Sequence, residues 1–392
     1  MQAEVEMSFF ENGVRRLAAS VLTKDYPLYV QYYVTARCNL TCEQCNVIYA
    51  NADQEEATTD QARKIAENLA EIGTSIVLLT GGEPFSRKDL VDIAKAMIDN
   101  DIHPRIQTNG LASEKALADL CEIGAQDISI SLDSLVPTVQ DTINGGFRKS
   151  WDRAIRTMAN VNRIFPRDSF SAFGCVLAPR NLDHIESVIK FATAIGWWVS
   201  LVPAHQTSIS EPRSFSTFDE SLTFDPSDYP RVKAVLERAK ALREEGYNLY
   251  DSDEYLDDIY RFVTCQPVQW RRRNGGVCDS PNLYFAIQPN GDMSVCTDYR
   301  LPEKYPVYAD DFPEVYRSYQ LRNQCHAIAS NCSGCMYGSF PEISITARYF
   351  DAMFQRARLF LLDGAKRTLQ PYSEDQMREI AQEIARDQGL VS

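Results

Sequence analysis

Short apolar runs alternate with longer amphipathic stretches along the first half of the chain. The apolar runs predict six β-strands, at 28–35, 76–79, 105–108, 127–131, 171–177 and 198–202. Apolar residues at helical spacing predict the intervening helices, at 59–72, 88–99, 113–123, 151–164 and 182–195. Strands joined in succession by helices build a parallel sheet, so the predicted fold class is α/β, as an open sheet or a barrel. Functional side chains are then expected beyond the C-terminal strand ends.

The pattern changes after residue 205. A plausible helix at 229–245 follows a stretch rich in Ser, Pro, Phe and Asp, and six cysteines then surround a turn signal, Asn290-Gly291, between two apolar runs. The predicted segments are an N-terminal helical segment (1–27), an α/β domain (28–205), a linker or lid with a helix (206–260), a cysteine-rich α+β domain (261–345) and a helical tail (346–392).

Composition and charge narrow the function classes. Hydrophobic residues make up 44% of the 392 residues and charged residues 24%, an ordinary balance for a soluble protein. The 40 Lys and Arg against 54 Asp and Glu give a net charge of −14, which disfavours a nucleic-acid partner. No apolar run reaches about 18 residues, so no membrane span is expected. The N-terminus lacks the apolar region of a secretory signal, which predicts a cytoplasmic location, where grouped cysteines more often hold metal than form disulfides.

Three of the eleven cysteines lie in one short segment directly after the first predicted strand. Cys38, Cys42 and Cys45 have the spacing C-x3-C-x2-C. Thiolates at this spacing can bind three irons of one cluster and leave the fourth iron open. The alternative is a buried helix face, because the same spacing aligns three residues on a helix. Polar residues between them, such as Asn39 and Thr41, would make a poor buried face, which favours the cluster.

A glycine-rich turn, Thr80-Gly81-Gly82-Glu83-Pro84, ends the second predicted strand. The glycines allow a backbone to approach a ligand closely, and Glu83 offers a carboxylate to an ammonium group. The cysteine segment after strand one, followed by this turn after strand two, resembles the radical S-adenosylmethionine (SAM) superfamily. The resemblance covers about residues 28–205 and implies a partial (β/α)6 TIM-like barrel.

The resemblance also implies cofactors and their contacts. The three cysteines would hold a [4Fe-4S] cluster that chelates SAM, and residues 81–83 would receive the methionyl ammonium group. The other predicted SAM contacts are polar residues at or just after later strand ends: Asn109, Ser131, Asp133, Arg180 and Asn181. Two departures from the superfamily concern adenine. Gln44 stands at a usually aromatic position, and a glycine-rich motif on strand five is absent, so no adenine contact is assigned.

A second cysteine pattern lies in the C-terminal half. Cys278 and Cys296 flank the predicted hairpin, and Cys332 and Cys335 form C-x2-C. Four thiolates on two turns suit tetrahedral zinc. Beside the upstream domain, however, the pattern is similar to the twitch domain, a shortened form of the SPASM domain, which implies a second, auxiliary [4Fe-4S] cluster. Cys325 is either a replacement ligand or a buried thiol.

The resemblance implies an enzyme that reductively cleaves SAM to a 5′-deoxyadenosyl radical, which abstracts hydrogen from an unactivated carbon. A flavodoxin- or ferredoxin-type protein is the expected electron donor. Four thiolates leave no iron of the auxiliary cluster open, which favours electron uptake and a net oxidation. His205, just past the last predicted strand, is the candidate substrate contact.

Only 37 residues precede Cys38. Many peptide-modifying relatives carry a longer peptide-binding domain there, so a small molecule from secondary-metabolite, cofactor or pigment biosynthesis is the expected substrate. The alternatives are a maturase that forms thioether or C–C crosslinks in a ribosomal peptide, and a non-enzymatic metal-binding scaffold. Release of 5′-deoxyadenosine from SAM with dithionite separates the enzymes from the scaffold.

Overall fold

The computed structural model describes residues 19–42, 44–45, 53–205, 222–358 and 368–391. Residues 1–18 of the predicted N-terminal helical segment and residues 206–221 of the predicted linker or lid lie outside these ranges. Within the described ranges, no helix has the length and apolar composition that a membrane crossing requires.

All six predicted strands form, and they lie side by side in one parallel sheet. They are β1 Tyr29–Thr35, β2 Ile76–Gly81, β3 His103–Thr108, β4 Asp127–Ser131, β5 Ser171–Leu177 and β6 Trp198–Pro203. Each strand pairs with the next one along the chain. Their C-terminal ends therefore meet at one edge of the sheet, called the strand-end edge below. The predicted α/β class is confirmed.

Helices connect the six strands and cover one face of the sheet. They are α1 Thr59–Glu71, α2 Leu90–Asp99, α3 Glu114–Glu122, α4 Pro137–Ile143, α5 Ser150–Ile164 and α6 Ile185–Ile195. Apolar residues of α1, such as Ile65 and Leu69, share the core with alternate strand residues such as Val77 and Leu79. The sequence did not predict α4, because seven residues give too little helical period.

The predicted hairpin forms as an extension of the same sheet. Strand β7 (Tyr284–Ile287) pairs in parallel with β1, and β8 (Met293–Ser294) pairs antiparallel with β7. The strand order is β6-β5-β4-β3-β2-β1-β7-β8. All four residues of β7 are buried, so its backbone needs a partner strand, and β1 supplies one. The cysteine-rich segment is therefore joined to the first strand of the α/β domain.

The remaining helices follow β6. They are α7 Tyr229–Glu244, α8 Asp253–Val263, α9 Phe312–Arg317, α10 Tyr319–Ser330, α11 Ser339–Arg348, α12 Phe350–Arg358 and α13 Glu374–Asp387. The domain boundary predicted at 261 thus falls inside α8. Helix α13 returns to α5, where Arg378 pairs with Asp152 and Arg156 pairs with Glu374 at 2.9 Å.

Candidate active site

Gly81 and Gly82 place the end of β2 against the end of β1. A Cβ at Gly82 would lie 2.1 Å from the carbonyl oxygen of Arg37, and one at Gly81 would lie 2.3 Å from that of Thr35. The backbone N–H of Gly82 donates to the Thr35 oxygen at 2.9 Å, and that of Glu83 donates to the Arg37 oxygen at 2.7 Å. The close approach predicted from the glycines is therefore made to the segment that leads into the first cysteine.

Replacing Gly82 with alanine is expected to displace the cysteine segment and to lower its iron incorporation. A backbone oxygen cannot rotate away from the added methyl group, so the strain should cost about 1–3 kcal/mol. Iron content after anaerobic reconstitution and thermal unfolding measure the effect. Gly174→Ala is the matched control, because a Cβ there would meet Gln107 Nε2 at 3.6 Å, an ordinary contact. Equal iron content and stability in the two variants would contradict this role of Gly82.

The Glu83 carboxylate is buried and holds the ends of β2 and β3 together. It accepts hydrogen bonds from the Phe85 N–H at 3.0 Å, the Thr108 hydroxyl at 2.8 Å and the Asn109 N–H at 2.7 Å. Burial raises the pKa of Glu83 to about 7. The carboxylate thus has a role in fixing the strand ends, and its contact with a SAM ammonium group stays a prediction.

Cys38, Cys42 and Cys45 are half-buried thiols at the strand-end edge. Burial raises the pKa of Cys38 to about 11 and that of Cys42 well above its usual value, and the neighbouring thiols act in the same direction because adjacent thiolates repel. The Leu40 N–H donates to Cys38 Sγ at 3.4 Å, and Asn109 Nδ2 lies 3.9 Å from the same sulfur. Soft thiolates with N–H donors suit an iron–sulfur cluster, whose positive irons would offset the repulsion.

Two residues of the α4 region that the sequence did not single out hold this segment. The Cys42 thiol donates to Asn144 Oδ1 at 3.6 Å, and Gln140 Nε2 donates to the same oxygen at 3.3 Å. Gln140 Oε1 accepts from the backbone N–H groups of Asp133 at 2.8 Å and Ser134 at 3.0 Å. The four-residue spacing of Gln140 and Asn144 places both side chains on one helix face and could have indicated a shared role. The short helix α4 was not predicted from the sequence, so this spacing could not be used.

Asp133 connects the cysteine segment to the ends of β4 and β5. Its carboxylate accepts from Gln44 Nε2 at 2.8 Å and from the Val176 N–H at 2.6 Å, and burial raises its pKa to about 6. The Asn181 amide nitrogen donates to the backbone oxygens of Asp133 at 3.1 Å and Val176 at 2.7 Å. Both amide hydrogens of Asn181 are thus engaged and the residue is fully buried, and its predicted contact with SAM stays a prediction.

Ser131 and Arg180 are both half-buried. Ser131 ends β4, where its hydroxyl accepts from Gln107 Nε2 at 3.4 Å, and Arg180 follows β5 in the turn 179–184. Together with Asn109 they lie where the parallel strands end, which is also where the cysteine segment begins. They remain candidates for contact with SAM.

The second cysteine group consists of Cys278, Cys296, Cys332 and Cys335, all half-buried. Burial is the main reason that the pKa values of Cys296 and Cys335 are raised. Cys332 and Cys278 raise the pKa of Cys335 further, and Cys335 raises that of Cys296, so the four thiols are neighbours. The Gly334 N–H donates to Cys332 Sγ at 3.3 Å. An all-thiol set of this kind fits an iron–sulfur cluster and also zinc.

In the part of the chain that the structure describes, no group of three or more His, Cys, Asp or Glu side chains is gathered so that it could hold a metal ion. A four-iron cluster holds its thiolates farther apart than one ion does, since each thiolate binds a different iron. Cys325 lies on α10 and is buried in the core. Burial raises its pKa to about 12, and repulsion by the Cys278 thiolate acts in the same direction.

The turn between Cys332 and Cys335 is joined to the end of β6 through His205. A carbonyl only accepts and a backbone N–H only donates, so Nδ1 donates to the Pro203 oxygen at 2.8 Å and Nε2 accepts from the Met336 N–H at 2.9 Å. Burial lowers the pKa of His205 to about 3, which keeps the ring neutral. Both ring nitrogens therefore have backbone partners that hold the turn against the end of β6, and the substrate contact predicted for His205 stays a prediction.

Other side chains also fix this turn by its backbone. Trp270 Nε1 donates to the Cys335 oxygen at 2.9 Å, and the Tyr255 hydroxyl lies 3.2 Å from the Met336 oxygen. On the opposite side, the Tyr33 hydroxyl of β1 donates to Thr297 Oγ1, next to Cys296, at 2.9 Å. The second cysteine group is thus attached to the sheet at both β1 and β6.

Replacing His205 with phenylalanine is expected to lower the iron content of the second cysteine group. The change keeps an aromatic ring to stack on Tyr337, whose ring centre lies 3.8 Å away, but it leaves the buried Met336 N–H without an acceptor. A lost buried partner costs about 1–3 kcal/mol. Iron content and the rate of iron release to a chelator measure the effect. His326→Phe, at an exposed position of α10, is the control, and equal iron retention in both variants would remove the positioning role.

The first strand of this parallel α/β sheet leads into three cysteines, an arrangement expected of an α/β protein that binds a ligand at its strand ends. Residues 32–192 match the Radical SAM superfamily. These residues therefore form a radical SAM domain. Members of this superfamily are enzymes, and they use the [4Fe-4S] cluster and the SAM that the sequence predicts as cofactors.

Sequence relatives have several activities. The chain is 28% identical over 208 residues to the AdoMet-dependent heme synthase of Methanosarcina barkeri, covering 53% of this chain and 56% of that protein. It is 32% identical over 252 residues to the Fe-coproporphyrin III synthase of the same organism, covering 62% and 59%. Mycofactocin maturase MftC of Mycolicibacterium smegmatis is 26% identical over 173 residues, covering 44% and 43%. The chain thus spans about half the length of the curated relatives it matches.

Solved structures support the fold. Streptococcus suis SuiB bound to S-adenosylmethionine superposes with a TM-score of 0.60 at 18% identity, covering 81% of this chain and 72% of SuiB. The AdoMet-bound enzyme anSMEcpe superposes with a TM-score of 0.58 at 14% identity, covering 91% and 100%. The partial TIM-like barrel expected from the resemblance is confirmed, and at these identities the likeness concerns the fold alone.

Proposed function

We propose that this protein is a radical SAM oxidoreductase that acts on a small molecule and holds a second iron–sulfur cluster at Cys278, Cys296, Cys332 and Cys335. When bound, the first cluster and SAM supply a 5′-deoxyadenosyl radical that abstracts hydrogen from an unactivated carbon. A net oxidation then requires an electron acceptor near the substrate. The second cysteine group is proposed to hold that acceptor, and a flavodoxin- or ferredoxin-type protein is proposed to reduce the first cluster.

One observation carries the proposal: both cysteine groups are built on neighbouring strands of one sheet. Strand β1 leads into the first group, and the β7–β8 hairpin, which leads into Cys296, pairs with β1. The Tyr33–Thr297 hydrogen bond and the His205–Met336 hydrogen bond fix the second group on two sides. A group fixed in this way is suited to accept an electron from a substrate at the strand-end edge.

The residues around the first group have positioning roles in this proposal. Gly82 and Glu83 set the ends of β1, β2 and β3, while Gln140 and Asn144 hold the cysteine segment from the other side. Asn109 donates toward Cys38 Sγ at 3.9 Å and to Asn39 Oδ1 at 2.7 Å. These contacts keep the thiols in place without using a charged side chain as a competing ligand.

A small-molecule substrate is favoured over a peptide. Two of the relatives with broad coverage are named as an AdoMet-dependent heme synthase and an Fe-coproporphyrin III synthase, so their names refer to small molecules. A peptide substrate is the second candidate, since other relatives are named PqqA peptide cyclase and mycofactocin maturase. The match of residues 32–192 to a superfamily of enzymes favours an enzyme over the metal-binding scaffold.

The test uses anaerobically reconstituted protein with dithionite and SAM. Release of 5′-deoxyadenosine is expected, and a protease-treated, low-molecular-mass fraction of cells that naturally make the protein should increase it. The same fraction without protease treatment is the matched control. Stimulation that disappears after protease treatment would support the peptide candidate, and a protein with full iron content that releases no 5′-deoxyadenosine would contradict the radical SAM proposal.

A further inference from the structure

Arg105 of β3 is a cation without a hydrogen-bond acceptor. Its Nε atom is buried and has no partner, and within the described residues no hydrogen bond or ion pair involves its guanidinium group. The group lies over the Phe170 ring, 4.5 Å from the ring centre. Asp127 is close enough to be affected by the charge, but its carboxylate is engaged by His103 Nε2 at 2.7 Å and the Phe170 N–H at 3.1 Å. Buried polar groups usually have hydrogen-bond partners, so an acceptor from outside the described residues is expected to bind the Arg105 guanidinium group.

A second guanidinium group lies nearby and adds to the positive charge. Arg356 of α12 lies over the Tyr250 ring at 3.9 Å, and Tyr250 contacts Phe170 edge-on with ring centres 5.8 Å apart. Arg356 donates to Glu342 at 2.7 Å, whereas Arg105 has no hydrogen-bonded carboxylate among the described residues. Burial lowers the pKa of Arg356 to about 9, and repulsion by Arg105 contributes.

Arg105 projects from the sheet face that the connecting helices leave uncovered. Along β3, half-buried His103, Arg105 and Gln107 alternate with fully buried residues, among them Ile106, which packs in the main core with the helices. Gln107, on the same face as Arg105, contacts Ser131 of β4. In a partial barrel this uncovered face is the interior, where small residues such as Gly174 leave room beside Gln107.

We propose that Arg105, with Arg356 beside it, binds an oxyanion, a carboxylate or a phosphate, carried by the substrate in the barrel interior. The guanidinium fork matches the two oxygens of such a group, and the aromatic rings beneath both guanidinium groups keep water away from them. In a chain with a net charge of −14, two neighbouring guanidinium groups, one of them without a hydrogen-bonded carboxylate, form a region suited to an anion. The inference rests on the proposed function, because it assigns the anion to the substrate.

The position of Arg105 also limits the size of the substrate. Arg105 lies three residues before Thr108, the last residue of β3. At about 3.3 Å per residue, Arg105 is roughly 10 Å from the strand-end edge. Its guanidinium group lies over Phe170, the residue before β5, which stands at the level of Asp127 and therefore of Arg105 itself. The substrate should therefore carry its anionic group about 10 Å or more from the carbon that reacts.

Thermal unfolding of the reconstituted protein tests the site with two probes, inorganic phosphate and acetate, each against chloride at equal ionic strength. A ligand that binds only the folded protein raises the apparent melting temperature in a saturable way. We expect such a rise with at least one probe. The probe concentration at half of the full rise should be at least tenfold higher in Arg105→Gln than in wild type. Arg105→Lys should increase that concentration less. Arg63→Gln, on the exposed side of α1, should behave as wild type. A rise with one probe alone identifies phosphate or carboxylate as the preferred group.

Without added oxyanion, Arg105→Met is expected to melt at a higher temperature than wild type, because it removes a buried cation that lacks a partner. No saturable rise with either probe, or the same probe concentration at half of the full rise in wild type and Arg105→Gln, would overturn the proposal. Release of 5′-deoxyadenosine by wild type is measured separately. Failure of that reaction with intact anion binding would reject the proposed function, whereas SAM cleavage without anion binding would reject only this site.

Discussion

Replacing Cys38, Cys42 and Cys45 together with alanine is expected to abolish the release of 5′-deoxyadenosine from SAM. The thiols are the only iron ligands proposed at the strand-end edge, and without them SAM has no iron to bind. The second cysteine group should keep its iron, so iron content should fall from about eight to about four atoms if both clusters are of the four-iron type. Iron analysis and chromatography of the SAM products measure the two results.

The exposed thiol Cys265 provides the matched control for this experiment. Cys265→Ala should keep both the iron and the SAM cleavage, because it removes a thiol outside both cysteine groups. Cleavage of SAM by the triple variant would remove the catalytic assignment of the three cysteines. Loss of all iron would instead mean that the two groups do not load independently.

Replacing Cys332 and Cys335 with alanine should uncouple SAM cleavage from substrate oxidation. The change removes half of the second ligand set and leaves the α/β domain unaltered, so iron should fall by about four atoms. Release of 5′-deoxyadenosine should persist, whereas the oxidised product should disappear because the substrate radical has no electron acceptor. Cys325→Ala is the control, and retention of about eight irons in it would identify Cys325 as a core thiol rather than a ligand.

Metal analysis of the wild type shows whether the second cysteine group holds an electron-accepting iron–sulfur cluster or a structural zinc ion. Zinc has no redox chemistry and cannot accept the electron. About four irons with one zinc would therefore contradict the oxidation, and the double variant would then lose stability through the folding that zinc binding drives. About eight irons without zinc is the expected result.

Much of the α/β domain could be predicted because its information is local. The six strands and five of the connecting helices follow from periodicities within windows of about ten residues, and observed boundaries such as Tyr29–Thr35 and Thr59–Glu71 lie within a few residues of the predicted ones. The cysteine segment and the glycine turn were identified in the same way, because each is contiguous in the chain and follows a strand.

The side-chain partners within the site could not be predicted. Glu83 and the glycines were expected to face a ligand, yet their observed contacts are to strand ends and to the segment before Cys38. His205 was expected to face substrate, yet it holds a backbone N–H that is 131 residues away in the chain. Hydrogen bonds between residues so distant in the chain depend on which strand ends meet in the folded sheet. The local sequence pattern does not contain that information.

The sequence by itself determined the α/β class, the two cysteine groups and the resemblance to the radical SAM superfamily, because periodicity and ligand spacing are properties of neighbouring residues. The tertiary structure alone decided that β7 pairs with β1, that His205 and Tyr33 fix the second cysteine group, and that Arg105 faces the barrel interior without an acceptor. The physical reason is that contacts between distant segments decide which polar groups form hydrogen bonds and which charges lack a partner. These contacts form only when the sheet is assembled.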